Sequence, residues 1–352
     1  VEVHVLLLAG QFPGTGHAET LSAATEYALT AERVGFAGAW IAEHHFIPYG
    51  VCPSAVAFAG HLLGRTNRIT VGTAACILSN RHPVALAEEA VLLDELSGGR
   101  FALGVARGGP WVDLEVFGTG LDRYTHGFAE SLDLLRDWLS GAERVGASGD
   151  RFGFRPVTVV PRPRRRLPVW VAATSAATVD LAAQRGLPLL LGLHATDAEK
   201  AELLTRYAAG AARHGHDPAA VAHASAHLAH LGNDNAQAAE TVRRSLPELL
   251  AGTREYVRLD GSAPTHRDPD AYVDHLLEIS PVGGAQRCRD KLATTVATTG
   301  VRHLLLLVEA AGEPARVRAN IAGLAAELLP AGGRPSAPPA GLSRQTSAEA
   351  RR

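Results

Sequence analysis

The chain contains no methionine and only two lysines, Lys200 and Lys291, so nearly all of its positive charge is arginine. The scarcity of lysine and the abundance of alanine are the bias of a GC-rich coding sequence; neither they nor the missing methionine carries a function. Three cysteines (Cys52, Cys76, Cys288) are too few for a disulfide framework or a cysteine metal knuckle. They read as reduced, buried thiols of a cytoplasmic protein. An excess of charge of either sign is also missing: 34 basic residues face 36 acidic ones, for a net charge of −2. That removes the electrostatic case for a nucleic-acid partner or an anionic membrane surface. No apolar run approaches the roughly 20 residues needed to span a bilayer. The first segment, Val1 to Gly10, has no basic residues ahead of its apolar stretch, so it reads as a buried strand rather than a signal peptide.

What is present is globular: 46% hydrophobic and 20% charged residues over 352 positions. That length suits one large α/β barrel of about 250 residues with insertions. Strand-length apolar runs fall at 2–9, 38–43, 68–75, 101–106, 168–172, 187–191, 221–231 and 302–308. They are continuously apolar rather than alternating, as expected of parallel strands buried on both faces. Helical periodicity fills the gaps, at 18–34, 53–63, 83–97, 122–140, 175–185, 196–214, 235–251 and 284–299, with a last helix at 314–329. Eight strands, each followed by helix, predict a (β/α)8 TIM barrel with insertions, as a single domain over 1–330. A doubly wound open sheet is the alternative from pattern alone. Residues 141–167 read as an inserted hairpin whose Arg-Pro run is a solvated loop. The polar stretch 252–282 reads as a long loop of the kind that covers barrel sites. The Pro-, Gly- and Ser-rich segment 331–352 reads as a disordered tail.

Barrel chemistry sits where strands end at the C-terminal face. The second strand ends in Glu43-His44-His45-Phe46, the third in Thr73-Ala74-Ala75, the fourth in Ala106-Arg107-Gly108, and the fifth in Thr174-Ser175-Ala176-Ala177-Thr178. Adjacent residues of an extended segment point opposite ways, so His44 and His45 do not both face one centre. No His-Glu-x-x-His occurs, and no metal site is expected. One of the two histidines can serve as an acid, a base or a hydrogen-bond donor, or be structural. His4, His17 and most of the other histidines read as incidental. Arg107 before two glycines suits a phosphate or a surface ion pair. Ser175 and Thr178, at a helix start, suit an anion site or plain N-capping. Taken together these residues point to a phosphorylated ligand, and flavin mononucleotide (FMN) is a natural candidate.

Ordered segments of this chain resemble the bacterial luciferase-like flavin-dependent monooxygenases, most closely the luciferase α subunit. They are Gly35-Phe-Ala-Gly-Ala-Trp-Ile-Ala-Glu-His-His-Phe46, Asn67-Arg-Ile-Thr-Val-Gly-Thr-Ala-Ala75, His82-Pro83, Leu92-Leu-Asp-Glu-Leu-Ser-Gly-Gly-Arg-Phe101, Val116-Phe-Gly-Thr119, Arg185-Gly-Leu-Pro188 and Ser280-Pro-Val-Gly283. The resemblance implies a (β/α)8 barrel that uses reduced FMN (FMNH2) and O2, through a flavin C4a-peroxide, to oxygenate a small apolar organic substrate. It also implies a separate NAD(P)H-dependent flavin reductase as partner, and a homodimer. By position it makes His44 the catalytic histidine. Ala74-Ala75 becomes a cis peptide against the flavin ring, and Arg107, Ser175 and Thr178 become phosphate ligands. Glu43, Thr174, His45, Phe46 and Ala106 line the flavin and substrate cavity.

Three positions depart from the family's light-emitting members. A reactive cysteine is Ala106 here, an acidic residue is Thr174, and a second phosphate arginine is Thr125, with Arg123 close by. These changes leave light emission and an aldehyde substrate undecided, while His44 and Arg107 stay in place. Two further readings stay open at this level: deazaflavin-dependent hydride transfer, and a non-catalytic flavin-binding subunit.

Overall fold

The computed structural model describes residues 1–109, 111–255 and 268–330. Eight parallel strands form the centre: β1 (Glu2–Leu7), β2 (Gly38–Ile41), β3 (Thr70–Thr73), β4 (Phe101–Ala106), β5 (Val169–Ala173), β6 (Leu189–Leu191), β7 (Ala224–Leu228) and β8 (His303–Leu307). Each strand pairs with the next in sequence, and β8 pairs with β1 in the register Glu2↔His303 to Leu6↔Leu307. The sheet is therefore a closed barrel, and the open-sheet alternative falls.

The continuous apolar runs are explained by two separate cores. Val5, Leu7, Ile41, Val71, Leu103, Val171 and Leu306 face outward and pack on the helices. Leu6, Leu8, Trp40, Trp170, Leu190, Leu305 and Leu307 face inward. Trp40 and Trp170 meet edge to face with ring centres 5.1 Å apart, and they fill the lower barrel. Gly72 makes this possible, since a Cβ there would stand 2.5 Å from the Trp40 ring.

The elements differ from expectation in two places. Helix was predicted throughout 122–140. Instead the segment carries part of Gly120–His126 and all of Phe128–Trp138, preceded by Trp111–Val116. Gly118 and Gly120, at φ +65° and +71°, turn the chain between the first two. The stretch read as a polar loop contains a helix, Pro269–Ile279, which buries Val273, Leu276 and Leu277 over the barrel interior. Those three apolar residues at helical spacing are few enough to be masked by polar neighbours. Residues 256–267 of that stretch, and the expected disordered tail 331–352, lie outside the described residues.

The predicted hairpin is there, as Arg144–Ser148 against Gly153–Thr158. Arg164 and Arg165 of the solvated run pair with Glu95 and Asp94. All three cysteines are free and buried. Among the described residues, no helix is long and apolar enough to cross a membrane.

Candidate active site

Because β2, β3, β4 and β5 are consecutive neighbours in the barrel, the four segments that follow them lie side by side along one half of the C-terminal rim. Backbone contacts stitch this arc together. Ala74 N donates to Ile41 O at 2.6 Å, and the short strand Cys76–Ile77 pairs in parallel with Val105 and Ala106.

At the β2 end the two histidines diverge as side-chain alternation requires. His44 packs edge-on against Tyr49, with ring centres 4.9 Å apart, and its Nδ1 is buried with no hydrogen-bond partner. A Cβ at residue 50 would lie 2.6 Å from that nitrogen, so Gly50 is what lets the loop close over the ring. Burial, reinforced by the neighbouring His45, lowers the His44 pKa to about 4, so the imidazole is neutral at physiological pH.

His45 turns the other way, with its Nε2 3.6 Å from Glu43 Oε1 and its ring edge-on to Phe117. Phe46 stands half exposed beside Phe117, with ring centres 5.7 Å apart. Glu43 is buried, and both of its oxygens are in use: Oε1 accepts from Ile77 N and Oε2 from Ala55 N, each at 3.0 Å. Burial pushes its carboxyl upward, but His45, the two amides and the charge of Arg81 outweigh that and hold it below the ordinary value. The resemblance put Glu43 in the lining of the flavin cavity; here its carboxylate fixes the backbone beneath the histidines.

Ala74-Ala75 is a cis peptide, the conformation implied by the resemblance. Ala106 closes β4 in register with Ile77. The Arg107 guanidinium lies 4.9 Å over the Tyr124 ring, and among the described residues no carboxylate pairs with it. Arg123 donates to the Arg81 carbonyl and stacks on Phe152. Ser175 caps the helix Ala176–Gln184: its Oγ accepts from Thr178 N at 3.4 Å and lies 3.1 Å from Thr178 Oγ1. The capping reading therefore holds for Ser175, and the helix start still presents first-turn amides that lack intrahelical partners.

Residues 1–303 match the family described as luciferase-like monooxygenase. The chain belongs to that family. Its relatives include the alkanal monooxygenase alpha chain of the Kryptophanaron alfredi symbiont, 29% identical over 92% of this chain and 96% of that one. The corresponding chain of Photorhabdus luminescens is 30% identical over 92% and 95%. Among solved structures, monooxygenase RslO1 from Streptomyces bottropensis superposes with a TM-score of 0.82 at 23% identity, covering 94% of this chain and 99% of that one. The oxygenating constituent of Pseudomonas putida 3,6-diketocamphane monooxygenase, in complex with FMN, gives 0.76 at 19% identity over 93% and 97%. An F420-dependent secondary alcohol dehydrogenase with an F420-acetone adduct gives 0.75 at 18% identity over 93% and 98%. This luciferase-like protein is accordingly an oxidoreductase of the flavin-dependent monooxygenase kind.

Beyond the arc, a cavity of about 650 Å³ opens past the ends of β5 and β6, walled by Thr174, Leu191, His194, Glu202, Tyr272 and His275 among others. Of the residues expected from sequence, Thr174 borders it. The helix Pro269–Ile279 supplies Tyr272 and His275, so the element missed in the sequence forms one wall of the cavity. Sequence reasoning also missed Tyr49, Gly50 and Tyr124, which seat His44 and Arg107. Nothing in their local pattern separates them from ordinary loop and helix residues.

Proposed function

We propose that this luciferase-like monooxygenase is the oxygenating component of a two-component system that takes FMNH2 and inserts oxygen into an apolar organic substrate. The observation that carries the reading is one continuous arc. A neutral, partly buried His44 after β2 and the cis Ala74-Ala75 backbone after β3 stand beside an arginine with no described carboxylate partner after β4 and a helix start after β5. The residues fit the cofactor. Arg107 and the helix start suit a dianionic phosphate, and Ala74, Ala75 and Ala106 bring only methyl groups to the rim where a planar ring would lie. When bound, reduced flavin supplies the two electrons that turn O2 and substrate into oxygenated product and water.

In this reading the protein's own groups do the rest. Arg107 holds the phosphate, held in turn by the Tyr124 face. Glu43 fixes the backbone that presents His44. His44 is neutral and able both to donate and to accept, and it steadies or moves a proton at the reacting edge of the ring through hydrogen bonding. The half-exposed rings of Phe46 and Phe117 at the rim favour an apolar substrate. The same reading has a homodimer working in the cytoplasm, supplied by a separate NAD(P)H-dependent flavin reductase, with secondary-metabolite tailoring as its setting.

The competing use of the same fold is hydride transfer from F420, a deazaflavin. Equilibrium binding separates the two. Reduced FMN is expected to bind, with Arg107→Ala weakening it by about 10- to 100-fold, the size of a lost charge-assisted phosphate contact. Preferential binding of F420, with no O2-dependent product from an organic substrate panel, would overturn the monooxygenase assignment.

A further inference from the structure

At the opposite end of the barrel, three potential metal ligands converge. Glu2 and His4 lie two residues apart on β1 and so face the same way, into the barrel floor, while His303 opens β8 directly across from Glu2. His4 Nε2 is 3.1 Å from His303 Nδ1, His303 Nδ1 is 3.4 Å from Glu2 Oε2, and Glu2 Oε2 is 3.6 Å from His4 Nε2. Each residue thus brings one ligand atom to a common triangle.

Two arguments separate this triangle from an ordinary hydrogen-bond network. The first is size. A tetrahedral zinc ion with ligands at 2.0–2.1 Å spaces those ligand atoms about 3.3–3.4 Å apart, and the three observed edges bracket that value. The second is proton accounting. A neutral histidine has one N–H, and an ionised carboxylate has none. The two neutral imidazoles can place at most two protons on the triangle, so at least one of its three edges is left without a hydrogen bond. A cation at the centre satisfies all three.

The surroundings agree with a built site. Trp40 and Trp170 stack edge-on against His4 and His303, at 6.0 and 5.7 Å, and fix the ring planes. Glu2 is half exposed, which gives an ion an entry path from solvent.

We propose that Glu2, His4 and His303 form a divalent transition-metal site, suited to Zn²⁺ with water as fourth ligand, that clamps the β1–β8 seam at the barrel floor. Two imidazoles and one carboxylate are borderline donors that suit zinc over calcium or magnesium. The site lies at the end of the barrel away from His44, so it bears on stability and not on the oxygenation reaction. It also reverses the reading of His4 as incidental.

The test uses the full chain, stripped with chelator, reloaded with Zn²⁺, desalted, and assayed for bound metal and thermal midpoint. The expected result is one zinc per chain and a higher midpoint in the wild type, with both lost in Glu2→Gln and His303→Gln. Those two side chains are partly exposed, so the substitutions leave the buried His4 and the fold in place, and FMN binding serves as the check. A wild type that retains no stoichiometric zinc would overturn the site. So would variants that retain as much zinc as the wild type, since the metal would then reside on other histidines.

Discussion

His44 shows how much a single residue's setting adds to its identity. The Glu-His-His-Phe tetrapeptide says that the two imidazoles point apart. It does not say that one is seated on Tyr49 with an unpartnered buried nitrogen while the other rests on a buried carboxylate. Desolvation keeps His44 uncharged down to about pH 4, so no loss of activity near pH 6.5 is expected to trace to it. Replacing it tests its part in catalysis. On mixing protein-bound reduced FMN with O2, His44→Ala is expected to return oxidised flavin faster by about a hundredfold, the weight of one well-placed acid–base group. Stopped-flow absorbance reads this directly, and an unchanged rate would remove His44 from the chemistry. The residue type was legible in the sequence because the strand-end position and the alternation rule are both local. Its support was not, because Gly50 matters only through a contact that the folded loop creates.

Among the elements, the segments that carry the family resemblance turn out to be largely fasteners. In Asn67-Arg-Ile-Thr, the three successive amides of Asn67, Arg68 and Ile69 point at one carboxylate oxygen of Glu32, on the helix His17–Val34. In the segment ending Ser-Gly-Gly-Arg-Phe101, Gly98 and Gly99 take positive φ to end a helix, and Arg100 then donates to the carbonyls of Leu63, Ile69 and Ser97. Such motifs announce a barrel legibly because turn chemistry is local. The helix Pro269–Ile279 was illegible because its apolar face is short and its packing partners come from the distant helix Asn235–Ala251.

The chain's two lysines belong to this scale as well. Lys291 pairs with Asp197 at 2.9 Å, Thr295 donates to the other Asp197 oxygen, and fully buried Lys200 donates to the Ala226 carbonyl close by. Asp197 thus joins the helices Asp197–Arg213 and Ala285–Thr299. Removing its charge leaves the Lys291 ammonium without its partner and buried Lys200 without a favourable neighbouring charge. Asp197→Asn is expected to cost about 3 kcal/mol in urea unfolding, far above a surface ion pair.

For the molecule as a whole, closure of the barrel is secured where its ends meet, and Glu309 sets a pH dependence there. It follows β8, is almost fully buried, and accepts from Leu8 N and Gly10 N just past β1. Burial raises its pKa from 4.5 to about 7 against the opposing pull of those amides. As pH rises, the unfolded chain loses this proton near 4.5 while the folded chain keeps it until about 7. The contribution to stability is therefore full below 4.5 and gone above 7, an order of about 3 kcal/mol across that window. Comparing denaturant midpoints of the wild type and Glu309→Gln from pH 4.5 to 8 isolates this effect. The wild type should lose ground relative to the variant as pH rises, and parallel curves would contradict the assignment. The barrel itself was readable from eight apolar runs, because each run is buried on both faces. The half-rim arc followed once the strand order was known. The cavity wall did not, because its residues come from segments far apart in the chain.

One consequence follows from the tryptophans that fill the lower barrel. With the base stoppered, flavin and substrate are expected to enter from the same C-terminal rim. Catalysis on such a plan is a matter of queueing. Whatever enters early governs what can follow, and a substrate that arrives before the flavin obstructs it. The turnover curve of this enzyme should therefore bend downward at high substrate concentration, and more reduced flavin should straighten it.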